Sequence, residues 1–205
     1  MKQFKKGANE LYCFAESPNQ CRALLESGAR IIQYREKNAD FSTLCRTANA
    51  MLEEMLHYPD SVLIINDRAD VALQCGAHGV HFGQDDVDIR QLKQLLQTEW
   101  KNLLVGVSVD TPAEAQAAEA AGISYIGAGS VFPTFTKADA VLIGLEGLRA
   151  VTSAVSTPVA AIGGINSETI RLVKDANADY YCVIAAINQA PDIRKAFKEL
   201  EKLIS

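Results

Sequence analysis

The sequence predicts an α/β fold, a closed (β/α)8 barrel of parallel strands, and three observations carry that expectation. Short apolar runs recur eight times along the 205 residues. Segments of helical periodicity separate them. Polar and charged residues gather directly after the runs, as they do in barrels whose chemistry sits at the C-terminal strand ends.

Taken in order, the runs are Leu11 to Phe14, Ile31 to Tyr34, Val62 to Ile65, Gly79 to Phe82, Leu103 to Val107, Tyr125 to Ala128, Val159 to Ile162 and Tyr181 to Ile184. A spacing of roughly 15 to 35 residues accommodates a strand, a loop and a helix, which implies parallel βα units. After the second run, Phe41, Leu44, Cys45, Ala48, Met51, Leu52 and Met55 recur at i, i+3, i+4 and i+7, the signature of a helix with one buried stripe. Ile89, Leu92, Leu95 and Leu96 repeat that pattern after the fourth run, and Ile193, Phe197, Leu200 and Leu203 repeat it near the C-terminus. After the fifth run, Thr111, Pro112 and Glu114 combine an N-cap, a proline at the first helical position and a capping-box acid.

Eight such units could also form an open doubly wound sheet. No G-x-G-x-x-G fingerprint follows the first strand, and the pattern runs evenly to the end with no second-domain stretch. Closure also removes exposed strand edges. The expectation is therefore a TIM barrel in one domain, 1–205, smaller than the roughly 250 residues typical of that fold.

A hydrophobic share of 48% and a charged share of 22% fit a soluble globule. The net charge of −5 argues against a broad nucleic-acid footprint, so an anionic ligand has to be held locally. No run approaches the roughly 18 apolar residues of a membrane helix, and the start carries no signal-peptide core, so a cytoplasmic protein without membrane partners is expected. The five cysteines are scattered through apolar runs, which fits buried thiols in a reducing compartment. Cys75, His78 and His81 show a zinc-like spacing, but they fall on a helix end and a strand end with no fourth ligand nearby.

The strand ends carry the candidate chemistry. Arg35, Glu36 and Lys37 follow the second strand; Asn66, Asp67 and Arg68 the third; Gly83, Gln84, Asp85 and Asp86 the fourth. Ser108 follows the fifth, Thr134, Thr136 and Lys137 the sixth, and Gly163 and Gly164 the seventh. Each has a structural reading when taken alone. Arg35, Lys37 and Lys137 are ordinary loop charges, Asp67 caps the next helix, Asp85 and Asp86 favour a helix N-terminus, and the glycines make a turn. Convergence on one rim favours ligand binding. Hard carboxylates at separate strand ends suit Mg²⁺ shared with phosphate oxygens, cations neutralise the remaining charge, and the seventh and eighth strand ends are the usual phosphate site. Two anionic subsites are expected, one a metal-bridged diphosphate and one a simpler phosphate.

Five segments, Gln33 to Lys37, Ile65 to Arg68, Gly79 to Asp86, Val131 to Lys137 and Ala161 to Ile165, resemble in order the signature segments of thiamine phosphate synthases. The resemblance covers almost the whole chain. It implies a transferase that joins 4-amino-5-hydroxymethyl-2-methylpyrimidine diphosphate to a thiazole phosphate, releasing pyrophosphate. It further implies Gln33 and His81 at the aminopyrimidine, and Arg35, Lys37, Asn66 and Lys137 on the diphosphate with Ser108 and Thr136 nearby. Asp67 and Asp86 would hold Mg²⁺, while Thr134, Gly163, Gly164 and the amides around Ala185 and Ala186 would serve the thiazole phosphate. Of these, Lys137, Arg35 and Ser108 are the catalytic candidates. The sequence leaves a homodimer open.

The chain departs from the family pattern in four places, the smallest of them Ser130 for a common proline. Phe14-Ala15-Glu16 stands where Val-Thr-Asp is frequent, and Val109-Asp110 where Ala-His is usual. In the eighth strand, Asp179 to Ala185 replaces a glycine-rich segment ending in serine, so Tyr180 is expected to narrow or reshape the pocket. Two other readings stay open. The related thiazole tautomerase is disfavoured by the presence of Arg35, Lys37 and the Asn-Asp-Arg segment; a non-catalytic phosphate-ligand-binding paralogue is motivated by the eighth strand.

Overall fold

The computed structural model describes residues 3–83, 89–134 and 141–205, leaving out the side chains at 90, 92 and 95–98. Eight parallel strands close on themselves in chain order: β1 (Glu10–Ala15), β2 (Ile31–Tyr34), β3 (Val62–Asn66), β4 (Gly79–Phe82), β5 (Leu104–Val109), β6 (Tyr125–Ala128), β7 (Val159–Ala161) and β8 (Tyr180–Val183). The closing seam pairs Leu11 with Tyr181 and Tyr12 with Cys182, which settles the choice between barrel and open sheet. Helices α1 (Pro18–Glu26), α2 (Phe41–Met55), α3 (Ala69–Cys75), α4 (Ile89–Trp100), α5 (Pro112–Ala121), α6 (Gly144–Ala154) and α7 (Ile170–Lys174) occupy the connections. The short α8 (Ala185–Asn188) and the terminal α9 (Ile193–Ile204) follow β8.

The strands are buried on both faces, which is why they read as continuous apolar runs and not as alternating ones. Alternation still assigns each residue to a side. Leu11, Cys13 and Ala15 face the helices, whereas Tyr12 and Phe14 face the interior with Ile31, Ile64, Leu104, Tyr125, Ala160, Tyr180 and Cys182. Leu44, Ala48, Met51 and Met55 form the buried stripe of α2, and Thr111 and Glu114 close the capping box of α5. All five cysteines are free thiols.

The N-terminal segment seals the bottom of the barrel. The Phe4 ring stacks on Tyr125 at 3.9 Å and meets Tyr180 edge-on at 4.9 Å. Lys5 N–H donates to the Tyr180 hydroxyl at 2.8 Å, and the Tyr181 hydroxyl donates to Asn9 Oδ1 at 2.7 Å. Asp179 accepts from Gly7 N–H at 2.6 Å and Val159 N–H at 2.7 Å, with Lys6 Nζ at 3.4 Å. The divergent Asp179-Tyr180-Tyr181 thus anchors the plug. Tyr180 lies opposite Glu10 at the start of β8, far from the strand ends that carry the candidate site, so the expected narrowing of the pocket is corrected.

A second correction concerns Asp67. The N-cap of α3 is Arg68, and no side chain caps that helix. Asp67 instead adopts a left-handed conformation with φ of 59°, which aspartate tolerates better than most residues. No helix among the described residues is long and apolar enough to cross a membrane.

Candidate functional site

A cavity of about 260 Å³ opens at the C-terminal ends of the strands. Strand direction explains its lining, because every βα loop leaves the barrel on this side. Gln33, Arg35 and Lys37 reach it from β2 and the following loop, Asn66 and Asp67 from β3, His81 and Gly83 from β4, and Ser108 and Asp110 from β5. Ser130 and Thr134 come from the loop after β6, Gly163 and Gly164 from the turn after β7, and Ala185 from the start of α8. Ala186 does not border the cavity; it packs partly buried against the outer core. Asp86, Thr136 and Lys137 lie outside the described residues.

Local hydrogen bonds fix several of these groups. Asp67 N–H donates to His81 O at 2.8 Å, tying the ends of β3 and β4 together, and Asn66 Nδ2 donates to Asp67 Oδ2 at 2.6 Å. The result is a hard carboxylate held at the cavity wall, at the strand end next to the one that carries the Arg35 and Lys37 loop. That is a fitting donor for Mg²⁺, which takes one or two protein carboxylates and completes its shell with water and substrate phosphate. Among the described residues no cluster of three or more metal-ligating side chains forms. The zinc-like spacing disperses: Cys75 Sγ points at Cys45 O, His78 Nδ1 accepts from Leu63 N–H, and His81 faces the cavity.

The turn after β7 needs its glycines. Gly163 and Gly164 have φ of +102° and +63°, where other residues are strained. A Cβ on Gly163 would stand 2.1 Å from Ser130 Oγ, and one on Gly164 2.7 Å from Phe132 Cβ. Phe132 N–H donates to Gly163 O at 3.1 Å, so the loop after β6 rests on this turn.

Two cavity residues escape a reading of the strand ends alone. Tyr12 and Tyr125 lie inside the barrel with their hydroxyls 2.7 Å apart, at the floor of the cavity. Gln33 Nε2 donates to Tyr12 at 2.8 Å, Tyr125 meets His81 Nδ1 at 3.0 Å, and His81 Nε2 meets Ser108 Oγ at 3.1 Å. Burial pushes both phenols well above the usual tyrosine range, Tyr12 further helped by Cys182 and Tyr125 by Tyr12. The signal in the sequence was a polar-tipped aromatic at an inward strand position, which needs a partner.

A family model described as thiamine monophosphate synthase matches residues 8–187. The chain belongs to that family. A thiamine-phosphate synthase of Pyrococcus furiosus is 43% identical over 183 residues, 89% of this chain and 86% of that protein. One from Chloroflexus aurantiacus is 41% identical, covering 90% and 85%. Among solved structures, the thiamine phosphate pyrophosphorylase of Pyrococcus furiosus superposes with a TM-score of 0.87 at 39% identity, covering 97% of this chain and 96% of that one. A 3-hexulose-6-phosphate synthase shares the barrel alone, at 21% identity and a TM-score of 0.70. The chain is a transferase of the thiamine phosphate synthase family.

Proposed function

We propose that this enzyme couples 4-amino-5-hydroxymethyl-2-methylpyrimidine diphosphate to a thiazole phosphate with release of pyrophosphate. The observation that carries the reading is the lining of one cavity. Every described residue that the family resemblance assigns to substrate borders it, except Ala186. Cations and a carboxylate lie on one side, glycine-freed backbone on the other, and a polar floor lies between them.

The chemistry asks for little covalent help. The bond between the pyrimidine methylene carbon and the diphosphate oxygen breaks first, the electron pair leaving with the diphosphate, and the aminopyrimidine stabilises the resulting cation. The thiazole nitrogen then forms the new C–N bond. Arg35, Lys37, Asn66 and Lys137 stabilise the departing diphosphate, with Ser108 and Thr136 beside it. Gln33 and His81 orient the pyrimidine, and Thr134 with the amides at Gly163, Gly164 and Ala185 holds the thiazole phosphate, so the two rings meet in line. Magnesium, when held by Asp67 and Asp86, supplies further neutralisation of the leaving group.

Purified protein given both substrates and Mg²⁺ is expected to form thiamine phosphate and pyrophosphate, and chelation is expected to stop it. Lys137→Ala should slow turnover at least about tenfold. Binding without product would overturn the reading in favour of a ligand-binding role. Isomerisation of a thiazole carboxylate phosphate would overturn it in favour of a tautomerase.

A further inference from the structure

Gln33, Tyr12, Tyr125, His81 and Ser108 come from β2, β1, β6, β4 and β5, yet form one unbroken run of hydrogen bonds across the barrel interior. The space is prepared for it. A Cβ on Gly106 would stand 2.1 Å from Tyr125 Cζ, and one on Gly127 3.0 Å from His81 Cε1. Phe4, stacked beneath Tyr125, closes the other side.

Proton counting gives the run a direction. Each phenol oxygen carries one proton and accepts through its lone pairs. Tyr12 and Tyr125 are 1% and 0% exposed, so neither hydroxyl turns to solvent. With Gln33 Nε2 donating to Tyr12, as the structure has it, Tyr12 must donate to Tyr125 and Tyr125 to His81 Nδ1. The imidazole then carries its proton on Nε2 and gives it to Ser108, whose own proton is left for the cavity. Turning the Gln33 amide over reverses every bond. Tyr12 then donates to Gln33 Oε1, His81 carries a proton on Nδ1, and a neutral ring takes the Ser108 proton on Nε2. A protonated imidazole fits only the reversed tyrosine run. Mixed arrangements leave two protons, or none, between a pair of neighbouring atoms in the run, which costs a hydrogen bond.

We propose that Tyr12 and Tyr125 are positioning residues that lock the Gln33 amide to the proton on His81 and thereby select a 4-aminopyrimidine diphosphate over its 4-oxo counterpart. The proposal rests on the reading that the aminopyrimidine meets Gln33 and the diphosphate lies near Ser108. An amino group needs the Gln33 oxygen as acceptor, and a diphosphate oxygen needs the Ser108 proton; the observed sense supplies both at once. An oxo group needs the Gln33 N–H, and that reversal turns the Ser108 proton away from the diphosphate. Discrimination at one end of the substrate is felt at the other.

Two measurements test this. Nitrogen-15 NMR of the three histidines reports which ring nitrogen of His81 is protonated. With inorganic pyrophosphate bound, the wild type is expected to show the Nε2–H form alone. Tyr12→Phe and Tyr125→Phe each cut the run between Gln33 and His81, so in both the Nδ1–H form should appear beside it. The ratio of kcat/KM for the amino over the oxo pyrimidine diphosphate should fall at least about tenfold in both variants. A wild-type Nδ1–H form, or an unchanged ratio in both variants, would overturn the proposal. If Tyr125→Phe does not fold, Tyr12→Phe alone decides through the ratio. Should folded wild type turn over neither pyrimidine, the proposed substrate is wrong, and the histidine spectra still decide whether the run is locked.

Discussion

The two ends of the barrel each hold an aspartate at a strand end, and the two are built differently. Asp179 at the bottom is 4% exposed and accepts from two backbone N–H groups beside a lysine. Asp67 at the top faces the cavity from a left-handed backbone, with Asn66 on one oxygen. Backbone donors make the first part of the scaffold; the cavity beside the second makes it available to a ligand. The difference teaches how to read a divergent segment. Of the divergent segment, Asp179, Tyr180 and Tyr181 fall at the bottom, where they fasten the N-terminal plug, while Cys182, Ile184 and Ala185 border the cavity.

That division can be broken by substitution. Asp179→Ala removes an acceptor from buried Val159 N–H and from Gly7 N–H, and is expected to cost about 3 kcal/mol of stability in denaturant unfolding, with kcat/KM of the folded protein unchanged. A large loss of activity without loss of stability would place Asp179 in the site. Tyr180→Phe removes only the acceptor for Lys5 N–H and should cost about 1 kcal/mol, again without kinetic effect. A changed KM for the thiazole phosphate would return Tyr180 to the pocket.

Alkaline unfolding sharpens the comparison further. Burial pushes the Tyr180 and Tyr181 phenols up to about 12, whereas unfolded tyrosine ionises near pH 10. Their raised values mean that the stability they contribute is complete below about pH 10 and is lost as the pH rises through about 12. Tyrosinate absorbance followed against pH, together with circular dichroism, should show these phenols ionising as the structure is lost. Ionisation well below that range with structure intact would show that the plug does not bury them.

Much of this architecture is legible in the sequence, for physical reasons that also explain the gaps. Strands buried on both faces leave uninterrupted apolar runs, so β2, β4 and β6 are found to the residue and the other strands to within about two at each end, where pairing and not composition sets the boundary. The rim is legible because parallel units place every βα loop on one side. The tyrosine pair is not, because Tyr12 and Tyr125 stand 113 residues apart and meet only once closure sets the register. The plug is equally hidden. Phe4 sits among Gln3, Lys5 and Lys6, and its contacts with Tyr125 and Tyr180 cross the whole chain. The capping role read for Asp67 fails because the left-handed turn at that residue lets Arg68 start the helix.

The most direct test of the division is one paired measurement of coupling activity and thermal midpoint for Asp67→Asn. The substitution keeps the size and a hydrogen-bonding head while removing the charge. With chemistry confined to the C-terminal strand ends, kcat/KM should fall at least about tenfold while Tm stays within a few degrees of wild type. Near-normal turnover, or a collapse of Tm with activity per folded molecule preserved, would contradict that account.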